Sequence, residues 1–307
     1  MNANPTLAMR PMCPVAAPHA AHSPVGSAPT PDALALATVR DLPALPAAVL
    51  ELLRLVRRED IEMTTLAAKI SHDQALTAKT LRLANSSFYG VPRHVTSVSD
   101  ATVVLGMRTV RTLVTAAALA GSFKPPACEG FDFPGFWQHS VSAAVSAKLI
   151  AAAIGLDGET AFTAALLHDV GQLVLATGFS ARFAQVLALR SGSEVALIDA
   201  EQALLGIDHA TLGALLAERW HFPREIVEAI GHHHAPPKLG DTASLVHIVY
   251  VAGTLAHLLE LGQSSAQAMP PACSEVWTGL GLSAGSWDEI AAKTAEQSQA
   301  ICAALLP

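Results

Sequence analysis

Apolar residues recur along most of this chain at every third or fourth position, which is the spacing of one face of an α-helix. Turn residues such as Gly90 and Pro92 separate these apolar segments. Runs of β-branched residues alternating with polar ones, which would predict strands, are nearly absent. The pattern therefore predicts an all-α protein in two parts, an N-terminal helical subdomain and a larger helical bundle.

The same pattern sets the expected limits of the helices. Pro46 is suited to the first turn of a helix, and Asp73 is suited to cap one. In chain order, helices are predicted over Ala47–Arg57, from Thr64 to Ile70, from Asp73 to Asn85, from Ser99 or Asp100 to Leu105, and over Arg108–Ser122, Phe136–Ile154, Thr160–Thr177, Ser180–Ser191, Ser193–Leu205, Asp208–Trp220, Pro223–His234, Thr242–Leu261 and Ser286–Leu306.

Local composition divides the chain further. The first 30 residues are rich in Pro, Ala and Ser and lack periodicity, so we expect a disordered leader over 1–38. Residues 39–124 form the N-terminal helical part, and 125–135, with prolines and glycines, form a connector. The bundle occupies 136–263, and a tail over 264–307 is loose as far as residue 285 and then carries one helix.

Overall composition narrows the class of protein. With 51% hydrophobic and 15% charged residues, the chain is expected to fold around a generous core rather than remain disordered. Its formal net charge of −7 argues against a general nucleic-acid binder. A local cluster of Arg54, Arg57 and Arg58 is better explained as the solvated end of a helix than as a phosphate-binding patch.

The cysteines and the apolar segments help to predict the cellular compartment of the protein. Cys13, Cys128, Cys273 and Cys302 are widely scattered, which suggests neither a disulfide framework nor a zinc ribbon. No stretch reaches the roughly 18 apolar residues of a membrane span, and the N-terminus lacks the apolar core of a signal peptide. We therefore expect a cytoplasmic protein that does not bind membranes.

Candidate chemistry begins in Ala161–Leu175, an apolar segment with the pair His168-Asp169 at its centre. A buried imidazole and carboxylate are costly unless something polar meets them. Two arrangements satisfy them, a hydrogen bond to each other or to the backbone, and a metal ion that both residues coordinate. The pair alone does not decide between these alternatives.

Further histidines flank this pair in chain order, namely His139 before it and His209 and His233-His234 after it. This order resembles the HD superfamily of metal-dependent phosphohydrolases, in which such residues surround one or two metal ions. Four segments of the chain are similar in amino-acid sequence and in order to the HDOD (HD-related output domain) family. They are Leu42–Pro46, Asp73–Ser87, Ser97–Gly106 and Phe136–Ser140, and the resemblance covers about Val39–Leu261.

The resemblance implies a set of ligands for a divalent metal ion, with Fe, Mn, Zn and Mg as candidates. The implied ligands are His139, His168, Asp169, His209, His233 and His234. His232 falls just before the matching pair and is interpreted as a surface or gating residue. The alternative is that all these residues are hydrogen-bonded to one another in a buried core.

Several positions depart from the pattern of catalytic relatives. Gly253 stands where the terminal Asp ligand is expected, and neither His247 nor His257 is a good substitute. Gln172 stands where the related cyclic-di-GMP phosphodiesterases have Lys, and Ala235-Pro236-Pro237 replaces their Gly-Tyr-Pro. A neutral Gln cannot stabilise a phosphoryl transition state as a cation does. We therefore assign no catalytic residues.

The predicted function is a non-catalytic regulatory module of bacterial signal transduction, acting by protein contact or ligand sensing. Because the chain contains no receiver or kinase segment, it is expected to stand alone. Its partners are then unidentified signalling proteins, with a cyclic nucleotide or another small ligand as further candidates. Asn85–Ser87 could contribute to an interaction surface, although such a sequence at a helix end usually caps it. A metal-dependent phosphohydrolase acting on a nucleotide or phosphodiester is the alternative, and nucleic-acid binding is disfavoured.

Overall fold

The computed structural model describes residues 51, 62–71, 73–191, 196–240 and 243–305. Within these ranges the protein consists of α-helices, turns and one 3₁₀ helix, without β-strands, so the all-α prediction is confirmed. The predicted leader, the arginine cluster, Cys13 and all of the predicted helix over Ala47–Arg57 except the helical residue Glu51 lie outside the described residues.

The described helices follow one another with short connections. They are α1 (Met63–Ser71), α2 (Gln74–Ala84), α3 (Val98–Leu105), α4 (Met107–Ser122), α5 (Phe133–Ala153), α6 (Gly158–Leu167), α7 (Val170–Gly178), α8 (Ser180–Ser191), α9 (Leu197–Leu205), α10 (His209–Arg219), α11 (Arg224–His232), α12 (Leu245–Glu260), α13 (Pro271–Gly279) and α14 (Ala284–Leu305), with the 3₁₀ helix over Ala266–Ala268.

Side-chain caps determine where several helices begin. Asp73 accepts a hydrogen bond from the Leu76 amide at 3.0 Å, as the sequence predicts. The helix α5 begins within the predicted connector, because Asp132 caps it through the Gly135 amide and a proline fits its first turn. Most other predicted ends lie within three residues of those in the structure.

The turn after α2 is fixed by the side chain of Asn85. Its Nδ2 donates to the carbonyls of Leu81 at 2.9 Å and Val95 at 2.8 Å, and its Oδ1 accepts from the Val95 amide at 2.7 Å. These bonds tie the end of α2 to the segment that leads into α3. Asn85 therefore acts in capping and turn formation, which was one of the two interpretations of this segment.

The bundle is organised around α5, which packs against α6, α12 and α14 and is buried along most of its length. Small residues such as Ala143, Ala144 and Ala147 are completely buried on it, which lets the neighbouring helices approach closely. Because α5 carries His139, this packing places that residue at the centre of the bundle.

The prediction of a loose segment up to residue 285 was wrong. Residues 271–279 form α13, and Trp277 packs edge-on against Trp287 of α14 with ring centroids 5.1 Å apart. The final helix α14 packs against α2 and α4 of the N-terminal half as well as against α5. A buried hydrogen bond of 3.2 Å between Ser146 and Thr294 lies within that contact.

Among the described residues, no single helix combines the length and apolar composition needed to cross a membrane. One bent combination, Gly158–Gly178 with Ser180–Ser191, meets the criteria of length and composition only when its parts are joined.

Candidate metal centre

The predicted continuous helix over Thr160–Thr177 is interrupted at His168-Asp169, between the end of α6 and the start of α7. The Nδ1 of His168 donates to the carbonyl of Ala165 at 2.6 Å, and the Gln172 amide donates to the carbonyl of Asp169 at 2.8 Å. A side chain that bonds a nearby carbonyl competes with regular helix geometry. The pair therefore forms a turn, which was not predicted.

Gly171, two residues after this turn, permits α7 to approach the start of α10. A Cβ atom at this position would lie 1.9 Å from the carbonyl oxygen of His209 and 2.9 Å from the backbone nitrogen of Gly213. Since both neighbours are backbone atoms, no rotation of a side chain could relieve the clash. This close approach brings His209 next to Asp169.

The carboxylate of Asp169 lies at the centre of the converging imidazoles. Its Oδ1 is 3.2 Å from Nε2 of His209 and 3.3 Å from Nε2 of His233. Its Oδ2 is 3.4 Å from Nε2 of His168 and 3.8 Å from Nε2 of His139. The two oxygens thus face two different sets of histidines.

His234 completes the set on one side, because its Nε2 lies 2.9 Å from Nε2 of His209. All six residues that the sequence singled out therefore lie together. We call His209, His233 and His234 the Oδ1 group and His139 and His168 the Oδ2 group. The candidate ligand atoms of each group, with Asp169, lie within 4.8 Å of one another.

Two of the histidines are oriented by carboxylates behind them. The Nδ1 of His139 lies 2.7 Å from Glu260 Oε1, and the Nδ1 of His209 lies 2.6 Å from Glu201 Oε2. Glu201 is completely buried, whereas the side chain of Glu260 is 24% exposed. A carboxylate that accepts a hydrogen bond from one ring nitrogen fixes the ring and makes the other nitrogen a better ligand.

Two other histidines are oriented by backbone carbonyls three residues earlier. His168 donates to Ala165, and the Nδ1 of His233 donates to the carbonyl of Ile230 at 2.7 Å. A carbonyl only accepts, so Nδ1 carries the proton in both rings and the inward Nε2 keeps its lone pair. Both groups thus combine one histidine backed by a carboxylate with one backed by a carbonyl.

The electrostatics differ between the histidines. Burial lowers the pKa of His168 to about 3, and burial with the neighbouring imidazoles lowers the pKa of His234 well below its ordinary value. Burial opposes charge on His139 and His209 as well, but the carboxylates of Glu260 and Glu201 outweigh it and raise the pKa of both.

Asp169 is held in its ionised form. Burial alone would raise the pKa of its carboxyl group, but His168, His209 and His233 together hold it well below the usual range. The pKa of Glu260 is likewise lowered to about 2, because His139 outweighs the effect of burial. The cluster therefore has its negative charge at the centre and at the back of the rings.

Sequence reasoning missed Glu201 and Glu260. Glu201 stands eight residues before His209 in the polar-apolar pattern of an ordinary amphipathic helix, so nothing in the sequence marks it. Glu260 lies seven residues after Gly253, which is the same face of α12. That spacing is the one signal that could have pointed to Glu260.

The structure also places the positions that differ from catalytic relatives, and the nearby histidines, relative to the cluster. A Cβ atom at Gly253 would lie 3.7 Å from Nε2 of His168, so this position faces the Oδ2 group without offering a ligand. His247 bonds to Ser244 at the start of α12, and buried His257 lies 3.6 Å from Glu260. Neither histidine joins a ligand group among the described residues. His232 is exposed, as expected of a surface residue.

The donor set fits a divalent metal ion. Imidazole nitrogens and a carboxylate are the ligands that Zn, Mn and Fe ions take in proteins. The Nε2 of His233 is buried and, within the described part of the chain, has no hydrogen-bond partner, as expected of an atom meant to coordinate an ion. The cluster can therefore bind metal, and its geometry does not select which one.

Comparison with solved structures supports the family resemblance. A family model of the HDOD domain matches residues 42–236. A proposed phosphohydrolase from Shewanella amazonensis SB2B is 32% identical with a TM-score of 0.76, covering 89% of this chain and 98% of that one. An HDOD domain protein with unknown function from Geobacter sulfurreducens is 28% identical with a TM-score of 0.72, covering 88% of this chain and 96% of that one.

A proposed signal transduction protein from Marinobacter aquaeolei VT8 is 26% identical with a TM-score of 0.69, covering 88% of this chain and 64% of that one. An uncharacterized protein of Treponema pallidum (strain Nichols) is 24% identical over 65% of this chain and 39% of its own length. Ribonuclease Y of Thermus thermophilus is 32% identical over 38% of this chain and 15% of the enzyme. The chain thus spans well under half of either curated relative.

Proposed function

The chain belongs to the HDOD family, and on that premise we propose that it is a non-catalytic regulatory module of bacterial signal transduction with a divalent metal ion in its histidine cluster. It acts by contact with other signalling proteins or by sensing a small ligand. The family and the convergence of the six candidate ligands support this proposal.

One observation carries the non-catalytic part of the proposal. The position that faces His168 from α12 is Gly253, so Asp169 is the single carboxylate among the candidate ligands. Three residues after Asp169, where the related cyclic-di-GMP phosphodiesterases are expected to have a lysine, this chain has the buried, neutral Gln172. Hydrolysis of a phosphoester depends on positive charge placed where negative charge develops. The first turn of α7 does not offer it.

Metal would be held at each group by the Nε2 atoms of that group together with the Asp169 oxygen that faces it. When bound, metal would supply positive charge, tying α10 to the turns that follow α6 and α11 in the Oδ1 group, and α5 to the turn that follows α6 in the Oδ2 group. The residues of the chain fix the ligands beforehand, because Glu201 and Glu260 hold the rings of His209 and His139. We therefore assign the ion a structural role as a pin between helices.

A metal-dependent phosphohydrolase acting on a nucleotide or phosphodiester remains the second candidate. The inward Nε2 lone pairs favour it, and so does the similarity to the Shewanella protein described as a proposed phosphohydrolase. The similarity to ribonuclease Y covers only 15% of that enzyme and therefore supports a related bundle rather than a shared substrate.

The two candidates are separated by one set of measurements on the purified full chain. Metal content is determined without chelator, and cleavage of bis(p-nitrophenyl) phosphate is followed with Mn²⁺, Fe²⁺, Zn²⁺ and Mg²⁺ for the wild type, His168→Ala and Asp169→Ala. We expect bound metal in the wild type, reduced metal in both variants, and the same background cleavage in all three. Chelator-sensitive cleavage that disappears in both variants would establish the phosphohydrolase instead.

A further inference from the structure

A lysine of the bundle holds the turn that follows α2. Lys148 of α5 donates from Nζ to Oε1 of Glu159, at the start of α6, at a distance of 2.7 Å. The same ammonium lies 4.8 Å from the ring centroid of Phe88 and 4.6 Å from that of Tyr89, both in the turn. Cation–π attraction and the ion pair therefore keep this part of the N-terminal half against α5 and α6.

The start of α6 has further contacts with the N-terminal half. Thr109 of α4 donates to Oε1 of Glu159 at 3.2 Å. One turn further along α6, the completely buried ring of Phe162 packs against Phe88 with ring centroids 6.3 Å apart. Both α4 and the turn after α2 therefore contact the first two turns of α6.

The other end of α6 leads into the metal cluster. His168 is the residue at its C-terminal end, and Asp169 follows directly. At about 1.5 Å per residue, α6 carries the chain roughly 13 Å from Glu159 to His168. Most of the residues between them are buried, and a closely packed helix transmits a displacement rather than absorbing it. One short helix thus connects the N-terminal turn to two candidate ligands.

Two buried polar atoms in the contact with the turn have no hydrogen-bond partner among the described residues. They are the hydroxyl of Tyr89 and Oε2 of Glu159, and both side chains contact the Lys148 ammonium. Burial raises the pKa of Tyr89 well above its ordinary value, and the charge of Glu159 adds to this effect, so the phenol keeps its proton. Leaving a buried donor and a buried acceptor unpaired is costly. A hydrogen bond between them would satisfy both.

We propose that α6 couples the turn of Phe88 and Tyr89 to the metal cluster, and that Tyr89 donates to Oε2 of Glu159 in the metal-loaded protein. This inference rests on the metal binding proposed above and assigns the cluster a means of regulation. Metal held by His168 and Asp169 fixes one end of α6. Glu159, at the other end, is then a fixed acceptor for the phenol.

The turn is also the place where a signal can enter. Ser87 and Gly90 are exposed on it, so another protein can reach the turn without unfolding the bundle. A partner that draws the turn away from α6 breaks the hydrogen bond and lowers the affinity for metal. Because coupling between two sites is reciprocal, metal binding opposes that movement by the same factor.

The first test removes the hydroxyl group of Tyr89 and keeps its ring. Tyr89→Phe should bind Mn²⁺ about three- to tenfold more weakly than the wild type, which is the loss of one hydrogen bond from the loaded state. Competition with a chelator on the full chain measures this affinity. Tyr250→Phe is the matched control, since that phenol lies near Cys273 and Glu275, and it should keep the wild-type affinity. Equal affinity of Tyr89→Phe and the wild type, or an equal loss in both variants, would overturn the coupling.

The second test observes the hydroxyl group directly. The chain has two tyrosines, so Tyr250→Phe leaves Tyr89 as the only one. The Fermi doublet of a tyrosine in ultraviolet resonance Raman spectra reports the hydrogen bonding of its phenol. As Mn²⁺ is added to Tyr250→Phe, we expect the doublet to change towards that of a phenol that donates to a carboxylate. A merely structural role of Tyr89 would leave the doublet unchanged.

The outcomes separate this inference from the proposed function. A wild type that binds no divalent ion would overturn both. A wild type that binds Mn²⁺, with either an unchanged affinity of Tyr89→Phe or an unchanged doublet at saturation, would overturn the coupling alone. Circular dichroism of each variant at the temperature of the titration verifies that the helices are retained.

Discussion

The Oδ1 group and the Oδ2 group, on the two sides of Asp169, have the same kinds of supporting partners but different numbers of ligands. Both the Oδ1 group and the Oδ2 group contain one histidine backed by a glutamate and one backed by a carbonyl three residues earlier. The Oδ1 group adds a third imidazole, and its glutamate, Glu201, is completely buried. The Oδ2 group has the partly exposed Glu260 behind it and Gly253 in front of it.

Under the metal binding that we propose, this difference makes one carboxylate the shared ligand of two kinds of metal site. A site whose ligands all come from the protein is typical of structural metals, and a site with an open position is typical of ions that meet an external ligand. The Oδ1 group fits the first description and the Oδ2 group fits the second. The following substitutions test whether the two groups differ in this way.

The largest effect is expected from Gly171→Ala, because its Cβ atom would meet the backbone of His209 at 1.9 Å. Moving α10 away should dismantle the Oδ1 group and lower the free energy of unfolding by about 3 kcal/mol. Urea denaturation measures this loss. Gly178→Ala in the same helix is the matched control, since a Cβ atom there has no neighbour within 4 Å in the described structure. Equal stability of the two variants would contradict the close approach of α7 and α10.

Asp169→Asn should affect both sides at once, because each of its carboxylate oxygens faces one group. Loss of a direct ligand should weaken metal binding by more than about a hundredfold, beyond the effect usual for an outer-shell partner. Competition with a chelator of known affinity gives this value. If the two groups act independently of the shared carboxylate, the affinity will fall much less.

Substitution of Glu201 and of Glu260 should affect metal affinity to different extents in the Oδ1 and Oδ2 groups. Glu201→Gln removes a completely buried charge behind His209, and we expect metal affinity to fall by about ten- to a hundredfold. Glu260→Gln removes a charge that solvent screens in part, so its effect should lie at or below about tenfold. The same chelator competition measures both. The reverse order would show that the Oδ2 group, rather than the Oδ1 group, holds the ion more tightly.

The smallest effect is expected from His234→Ala. His234 retains exposed surface, and Asp169, His209 and His233 remain as ligands without it. Metal affinity should fall by less than about tenfold, while one exchangeable water should enter the coordination shell of Mn²⁺. Water-proton relaxation of the Mn²⁺-loaded protein reports that change. An unchanged relaxivity would indicate that His234 only covers the site.

Much of the fold could be predicted from local signals in the sequence. Asp73 and Asp208 each accept a hydrogen bond from the amide three residues later, so the helices α2 and α10 begin where they were expected. By contrast, α13 is held by the contact of Trp277 with Trp287 and lies beside prolines that are typical of loops. Its existence depends on packing between segments, which local pattern does not contain.

The candidate site likewise has features that the sequence predicts and features that depend on contacts between distant segments. The order of the histidines identified the six residues that the structure brings together. It could not indicate that His168 turns the chain by bonding the carbonyl of Ala165, nor that Glu201 and Glu260 stand behind two of the rings. These features depend on distances between helices, and they determine which nitrogen of each ring faces inward.

The contact of α14 with α2, α4 and α5 has a consequence for biosynthesis. The ribosome completes α14 about 220 residues after α2, so at translation rates of about 5–20 residues per second the surfaces that α14 will cover stay exposed to solvent for roughly 10 to 45 s. Apolar surface that stays exposed during that interval makes the nascent chain prone to aggregation. The N-terminal helices can reach their final packing only after their distant neighbour has left the exit tunnel.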